Sequence, residues 1–387
     1  MEQIDDQNTI NQYVAKMQRL ENELISFITQ DNHSDEDYEN LANFFDEQKI
    51  RDQHEFKAIL HLIVNISNNY LRNADFFTNI EQILLIFQNE IDDFFSNDEL
   101  FDIFRDNKRI LLFLFEEKLL TPDMYIASII TSRQYKQAFY PHYFSPEFRS
   151  FFNISLCLYI DEKNHVFSNN TSFIQNDFET FEVKRLSGEN DDFLCQIIQK
   201  DSLKEFISYA NQKNLALSTK IEPSIFETNS FLMCRNPTLI EYAAFFGSMQ
   251  IFEYLYSNKV ELPPSIWEYA IHGQNKDIIH ILERNKILPE DPSYKGCLIE
   301  SLKCHYFEMT EFIKEKYFKD ISDDDLDIYF HSLEFYNFKY LPVNFNDEFN
   351  LFYHLCKFDH YPIVELLLGH KKLKINAKHI QKFNAFE

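Results

Sequence analysis

Three residues in the C-terminal half are of the types that bind metal ions, namely Cys297, Cys304 and His305. A structural zinc site needs four ligands, usually in two closely spaced pairs, and no second pair occurs at such a spacing. Cys297 and Cys304 also share one face of a predicted helix with Ser301, so a buried helix face explains both sulfur atoms. We therefore predict no metal and no other cofactor.

Other motifs that could support catalysis are incomplete. Asp323, Asp324 and Asp325 lack the alternating ligands and the glycine of a calcium loop, so they predict an acidic helix start. Asp359 and His360 could form an acid–base pair, but no nucleophile is identifiable nearby, and we interpret them as a solvated turn. The chain's 5 glycines do not form a phosphate-binding loop. The sequence thus predicts a protein that is not an enzyme.

The charge of the chain disfavours nucleic acids as partners. The 387 residues include 37 Lys and Arg against 62 Asp and Glu, a formal net charge of -25. Residues 1–100 alone hold 6 basic and 21 acidic residues, and 6 − 21 = −15. Phosphate groups repel such a surface, and so do anionic membranes. The acidic surface is either solubilising or a docking face for a basic partner protein.

The sequence shows no signal for export or membrane insertion. It opens with acidic residues where a secretory signal needs basic and apolar ones, and its apolar runs are too short to cross a bilayer. We expect a cytoplasmic protein. Its cysteines are expected to be free thiols, mostly buried on apolar helix faces. They are Cys157, Cys195, Cys234, Cys297, Cys304 and Cys356.

Apolar residues recur at helical spacing along most of the chain, which predicts an all-α fold. We expect an acidic N-terminal helical domain at 1–135, an irregular connecting segment at 136–190, and a repeat region at 191–387. The region 164–190 is rich in Asn, Ser, Asp and Thr and has no sustained periodicity, so it predicts a loop. Ser34 and the acidic residues after it predict a helix start.

The stretch 237–258 predicts two short antiparallel helices joined by a tight turn at Gly247. Tyr242 and Ala243 recur as Tyr269 and Ala270, at a spacing of 269 − 242 = 27 residues. A further copy places Ser301 where Ala270 stands, and 301 − 270 = 31. Helix pairs with a period near 30 are typical of an ankyrin-type α-solenoid, in which each pair buries its apolar face against the next.

The same stretch resembles the ankyrin repeat in detail. Thr238, Ile240, Ala243, Ala244 and Gly247 fall at the Thr, Leu, Ala, Ala and Gly positions of that family's pattern. Residues 363–368, Ile-Val-Glu-Leu-Leu-Leu, match its second helix, although Asp359 stands where glycine is usual. The resemblance implies an α-solenoid of degenerate ankyrin-like helix pairs, preceded by an N-terminal helical array.

Much of the chain is also similar to the trichomonad family of ankyrin-repeat proteins. The similarity lies in residues 109–118, Arg-Ile-Leu-Leu-Phe-Leu-Phe-Glu-Glu-Lys, in 140–144 and in 237–255. That family carries an uncharacterised helical N-terminal domain ahead of its repeats and has no assigned reaction. The resemblance therefore implies a fold but no chemistry.

We predict a non-enzymatic scaffold that binds another protein through the surface of a helical repeat stack. Candidate binding residues are aromatic or lie on the same helices, and we expect Trp267 to be partly exposed; they are Phe245, Phe246, Trp267, Tyr269 and His272. Inter-repeat packing would explain the same residues. The alternative function is self-association into a homo-oligomer through an uncapped last repeat near Phe383.

Overall fold

The computed structural model describes residues 2–50, 52–131, 139–149, 151, 178–233, 235–322, 327–341 and 349–369. Within these ranges the chain forms 21 α-helices and one 3-10 helix, and it forms no β-strand. The predicted all-α class is confirmed. No described helix combines the length and the apolar character that crossing a bilayer requires.

The helices are short apart from the first, and most are joined by a few residues. In chain order they are α1 (Glu2–Ile28), α2 (Asp35–Gln48), α3 (Gln53–Asn69), α4 (Phe76–Ile86), α5 (Gln88–Phe94), α6 (Asn97–Phe104), α7 (Lys108–Glu116), α8 (Met124–Ile130), α9 (Tyr140–Tyr143), α10 (Phe178–Ser187), α11 (Phe193–Gln199), α12 (Leu203–Lys213), α13 (Leu239–Phe245), α14 (Met249–Ser257), α15 (Ile266–His272), α16 (Lys276–Arg284), α17 (Lys295–Lys303), α18 (Phe307–Tyr317), α19 (Ile328–Glu334), the 3-10 helix (Phe338–Tyr340), α20 (Phe349–Lys357) and α21 (Tyr361–Gly369).

Polar side chains determine where several helices begin. Ser34, Ser96 and Thr238 each accept a hydrogen bond from a backbone N–H three residues on, and the acidic side chain at that position bonds back to the backbone N–H of the cap. Such a cap stabilises a helix by about 1 kcal/mol. The helix start predicted at Ser34 is confirmed.

The chain divides into two compact units. Unit 1 consists of residues 1–87 together with 263–387, and unit 2 of residues 88–262. Unit 1 is therefore discontinuous in sequence and contains both ends of the chain. The sequence-based division at 135 and 190 stays a prediction.

The C-terminal part of unit 1 is a series of helix pairs. In four places a residue with positive φ ends the first helix, at Gln274 (φ 48), His305 (φ 50), Tyr336 (φ 53) and Asp359 (φ 60). The residue after each of the last three donates its N–H to a carbonyl five residues back, at distances of 3.0, 2.8 and 2.9 Å. None of the four is glycine, so packing maintains a backbone conformation that costs about 1 kcal/mol or more per residue.

Side chains connect successive pairs in this part of unit 1. The Asn337 amide donates to the carbonyl of Leu302 at 2.9 Å, and the His360 ring contacts the carbonyl of Leu333 at 2.8 Å. His360 is buried, and burial lowers its pKa to about 4. The interpretation of Asp359 and His360 as a solvated turn is therefore wrong for His360, because the ring points into the neighbouring pair rather than into water.

The N-terminal helices of unit 1 pack on its C-terminal helices, with α1 against the 3-10 helix and α21, and α3 against α21. The central contact is a buried pair in which Glu21 Oε1 lies 2.7 Å from His305 Nδ1, with side chains 1% and 0% exposed. Glu21 Oε2 also accepts the backbone N–H of Lys339 at 3.2 Å. The acidic N-terminal region thus packs directly on the C-terminal helices of unit 1.

Two further contacts extend this packing toward the surface of unit 1. The ring of His54 stacks on that of Tyr361, with centroids 3.8 Å apart. Lys57 forms an ion pair with Asp359, the residue at the left-handed turn before α21. Glycine would adopt this backbone conformation with less strain, but it could not form the ion pair with Lys57.

In unit 2, helix α10 is held by a buried arginine. Arg185 is 2% exposed and donates to both carboxylate oxygens of Glu147 at 2.9 Å, to Glu182 at 2.5 Å and to the carbonyl of Tyr143 at 3.0 Å. The expectation of a loop over 164–190 is wrong for Phe178–Ser187, because these ion pairs stabilise a helix that has no regular apolar face. Residues 152–177 lie outside the described residues.

The stretch 237–258, in unit 2, folds as predicted. Helices α13 and α14 meet at Gly247, whose φ of 63 is the left-handed conformation that glycine adopts without strain. Ala243 and Ala244 are fully buried, as are Ile251, Phe252 and Leu255 on the second helix. The Ser248 hydroxyl donates to the carbonyl of Ile198 at 2.6 Å, which joins this pair to helix α11.

We expect Glu21→Ala to lower the free energy of unfolding by about 3 kcal/mol, because His305 would stay buried without its carboxylate. Urea unfolding followed by circular dichroism measures this loss, and hydrogen exchange locates it in α1. Glu23→Ala, at an exposed position on the same helix, is the control and should change stability by less than about 0.5 kcal/mol. Equal effects of the two variants would contradict the buried pair.

Candidate functional site

The structure buries four of the five residues predicted to bind a partner. Trp267 is 0% exposed, and its Nε1 donates to the carbonyl of Ile287 at 2.8 Å. The expectation of partial exposure is wrong, because α15 is covered on several sides: Tyr294 packs edge-on against the indole with centroids 5.3 Å apart. Tyr269 and His272 on the same helix are also buried.

The two phenylalanines of unit 2 differ from each other in exposure. Phe245 is buried and stacks on Phe231, with ring centroids 5.7 Å apart, whereas Phe246 is half-buried. Burial of this kind is what inter-repeat packing, the alternative explanation, requires. A binding role for Phe245, Phe246, Trp267, Tyr269 and His272 stays a prediction.

The cysteine and histidine residues are arranged differently from the cluster considered in the sequence. His305 pairs with Glu21, and the partner of Cys304 is His272, with 3.4 Å between Sγ and Nδ1. The other ring nitrogen of His272 lies 2.6 Å from Glu300 Oε1. In the described part of the chain, His272, Glu300 and Cys304 are the group whose donor atoms lie close enough to hold a metal ion, within 4.8 Å of one another.

Hydrogen bonding explains this group better than metal binding does. One nitrogen of His272 faces the thiol and the other faces the carboxylate, and an imidazole gives a single ion only one nitrogen. A bound ion would therefore break one of the two contacts. Lys303 lies 3.1 Å from the same oxygen of Glu300 and already supplies a positive charge there.

The protonation states of the group fit a structural role. Burial alone would raise the pKa of Glu300, but Lys303 and His272 outweigh it and lower that pKa to about 2. Burial raises the pKa of the Cys304 thiol well above its ordinary value, so the sulfur stays protonated. A protonated and fully buried thiol is a poor nucleophile, although its contacts with His272 resemble those of a catalytic pair.

A cavity of about 350 Å³ in unit 2 is a better candidate for a binding site. Its apolar lining comes from Phe181, Ile225 and Phe226, which are buried, and its rim includes Phe193, which is 56% exposed. The volume is near the lower end of the range for ligand pockets and accommodates one or two side chains of a partner.

The polar groups of this pocket are mostly acidic. Its lining includes Asp191, Asp192 and Glu222 against a single cation, Lys184, so the formal charge is 1 − 3 = −2. Asp191 is held in place by the hydroxyl of Ser224, which donates to Oδ1 at 2.8 Å. Aromatic rings next to several carboxylates suit a cationic side chain with an apolar stem.

Little in the sequence indicates this pocket. Phe181 and Lys184 lie in the segment that was expected to be a loop, and the chain from 222 to 226 has no helical period. One local signal is the run Asn190-Asp191-Asp192, in which the side chains of Asn190 and Asp192 accept backbone N–H groups at the start of the helix that carries Phe193. A helix start is a common feature, so this signal alone could not have indicated a pocket.

We expect Glu300→Gln to destabilise the protein by about 2 kcal/mol at pH 7, since a hydrogen-bonded and half-buried charge is lost. The folded pKa of Glu300 is about 2, below its ordinary 4.5, so its contribution is complete above about pH 4.5 and declines as the pH falls toward 2. Urea unfolding at pH 7 and at lower pH should show the difference from wild type shrinking. Glu308→Gln, at an exposed ion pair, is the control.

Burial also predicts the order in which thiols react. Cys195, Cys297 and Cys304 are buried, and Cys356 is half-buried. Desolvation raises the pKa of Cys297 to about 12, and that of Cys356 rises as well. We expect iodoacetamide to label native Cys356 at least about ten-fold faster than the buried three, as measured by peptide mass spectrometry. Fast labelling of Cys304 in the native protein would contradict its burial. Cys157 and Cys234 lie outside the described residues.

Comparison with known proteins gives no functional assignment. The chain matches no family model, no curated protein and no solved structure. Any statement about its function therefore rests on its own residues, of which the acidic pocket of unit 2 offers the most direct binding chemistry.

Proposed function

We propose that this chain is a non-enzymatic cytoplasmic scaffold that binds a basic segment of a partner protein. The observation that supports this most directly is the pocket of unit 2, which is lined by aromatic rings and by three carboxylates. A lysine or arginine of the partner would place its stem on the rings and its charge beside the acids. The chain's net charge of -25 would favour the approach of a basic partner.

We further propose that the helix pairs are degenerate ankyrin-like repeats. The support is a recurring turn with positive φ, at Gly247, Gln274, His305 and Tyr336. Their spacings are 274 − 247 = 27, 305 − 274 = 31 and 336 − 305 = 31, near the period of that family. A second positive φ follows the later helix, at Lys259 and Lys286, again 286 − 259 = 27 residues apart.

Several features of the described residues support a non-enzymatic role. The serine of the pocket, Ser224, is bonded to Asp191 rather than to a histidine, so it lacks the base that activates a nucleophile. The Cys304 and His272 pair is buried in unit 1. Binding, in contrast, needs only the shape and charge that the pocket already has.

Self-association through the last repeat stays a prediction. The end of the chain near Phe383 lies outside the described residues. The last described pair, α20 and α21, already has neighbours within unit 1, because α1 and α3 pack on α21. The chain's own N-terminal helices therefore cover this pair, which leaves less of its surface for self-association. For this reason we favour the pocket as the site of function.

Selection of random displayed peptides on the purified full-length protein tests the proposed site. We expect the selected peptides to be enriched in arginine or lysine next to apolar residues. Their affinities, measured by fluorescence anisotropy, should fall about ten-fold or more in Phe193→Ser combined with Glu222→Lys, because the rim loses an aromatic anchor and reverses a charge. Both residues are exposed, so the variant should fold normally.

Glu253→Lys is the matched control. It makes the same charge change at an exposed position of unit 2 that does not line the pocket, and it should leave peptide affinity within about two-fold. Peptides without basic residues, or equal losses in Glu253→Lys and in the pocket variant, would overturn the proposal.

A further inference from the structure

The acidic pocket of unit 2 already contains a cation from its own chain. The ammonium group of Lys184 lies 2.7 Å from Asp191 Oδ2 and 5.6 Å from the centroid of the Phe226 ring. These are the two kinds of contact that a partner's basic side chain would make in this pocket. Lys184 thus occupies the position that the proposed partner residue needs.

The contacts of Lys184 are weak enough for another cation to replace it. Its side chain is 28% exposed and that of Asp191 is 25% exposed, and a partly exposed ion pair of this type contributes little to stability. The lysine stem has four rotatable bonds, so the ammonium group can move into water without any change in the backbone.

The surroundings of Lys184 are firmly held. The next residue, Arg185, is 2% exposed and is fixed by Glu147 and Glu182. Asp191 keeps its bond from the Ser224 hydroxyl at 2.8 Å. If the Lys184 side chain moved away, the Phe226 ring and the Asp191 carboxylate would stay in place and could bind another cation.

We propose that Lys184 is an internal competitor that occupies the binding pocket until an arginine of the partner displaces it. Arginine suits the exchange better than lysine, since a guanidinium binds a carboxylate through two hydrogen bonds and stacks on an aromatic ring. An incoming cation must bind the pocket more strongly than Lys184 does. Weakly binding, nonspecific cations therefore do not displace it. This inference rests on the proposed function of the pocket.

The test is the affinity of a fluorescein-labelled arginine peptide from the selection, measured by anisotropy on the full-length protein, with labelled hexa-arginine as a second probe. Lys184→Met keeps the apolar stem and removes the charge, and we expect it to bind about three- to five-fold more tightly than wild type. Lys184→Arg restores a competing cation and should bind no more tightly than wild type.

Two controls separate competition from a general charge effect. Lys204→Met removes an exposed cation of unit 2 outside the pocket and should change affinity by less than about two-fold. In the Lys184→Met background, Asp191→Asn should abolish the gain, because the freed carboxylate is what the peptide reaches. Circular dichroism establishes that each variant is folded.

The outcomes distinguish the two proposals. If neither probe binds wild type or Lys184→Met at the pocket, the proposed function fails. If the peptides bind wild type and lose affinity in the Phe193 and Glu222 variant, but Lys184→Met binds no more tightly, the pocket functions and internal competition is refuted. An equal gain in Lys204→Met would also refute competition.

Discussion

A buried carboxylate–imidazole pair between residues far apart in sequence is the constraint on which unit 1 depends. Glu21 and His305 are 284 positions apart and almost fully buried. Both ring nitrogens of His305 face oxygens, one on Glu21 and the other on the Phe335 carbonyl, so the imidazole has a polar partner at each nitrogen. Breaking such a pair leaves an uncompensated polar group in the core.

This pair has consequences for the rest of unit 1. It fixes α1 against the turn that ends α17, and the same carboxylate accepts the backbone N–H of Lys339 at the 3-10 helix. The N-terminal helices thereby cover α21 and the 3-10 helix within the described part of unit 1.

Unit 2 achieves its stability by different means and carries the proposed binding site. Arg185 and its two carboxylate partners hold α10, and α10 supplies Phe181 and Lys184 to the pocket. The buried network therefore does not take part in binding but positions the side chains that do. A rigid support of this kind lowers the entropic cost of binding a flexible basic segment.

Local chemistry made part of this structure predictable from the sequence. The helix start at Ser34 and the helix pair at 237–258 follow from capping residues, apolar spacing and one glycine. The burial of Trp267 was not predictable in this way, because the periodicity of α15 shows one apolar face and cannot show that other helices and loops cover its remaining sides. The positive φ values at Gln274 and Tyr336 were also hidden, since neither residue is the glycine that usually marks such a turn.

The candidate site was harder to predict for a related reason. Its lining residues come from separate stretches, and Lys184 lies on a helix that long-range ion pairs stabilise rather than its own periodicity. The true partners of Cys304 and His305 are likewise distant in sequence, so spacing along the chain grouped the wrong residues. Sequence patterns report local preference, whereas these sites depend on tertiary contacts.

A double-mutant cycle between Glu21 and His305 tests most directly whether the N-terminal and C-terminal helices of unit 1 form one folded unit. The free energies of unfolding of wild type, Glu21→Ala, His305→Ala and the double variant would be measured under the same conditions. Direct contact predicts that the two substitutions are non-additive, with a coupling free energy of at least about 1 kcal/mol. Additive effects, within about 0.3 kcal/mol, would contradict the packing of α1 on the C-terminal helices.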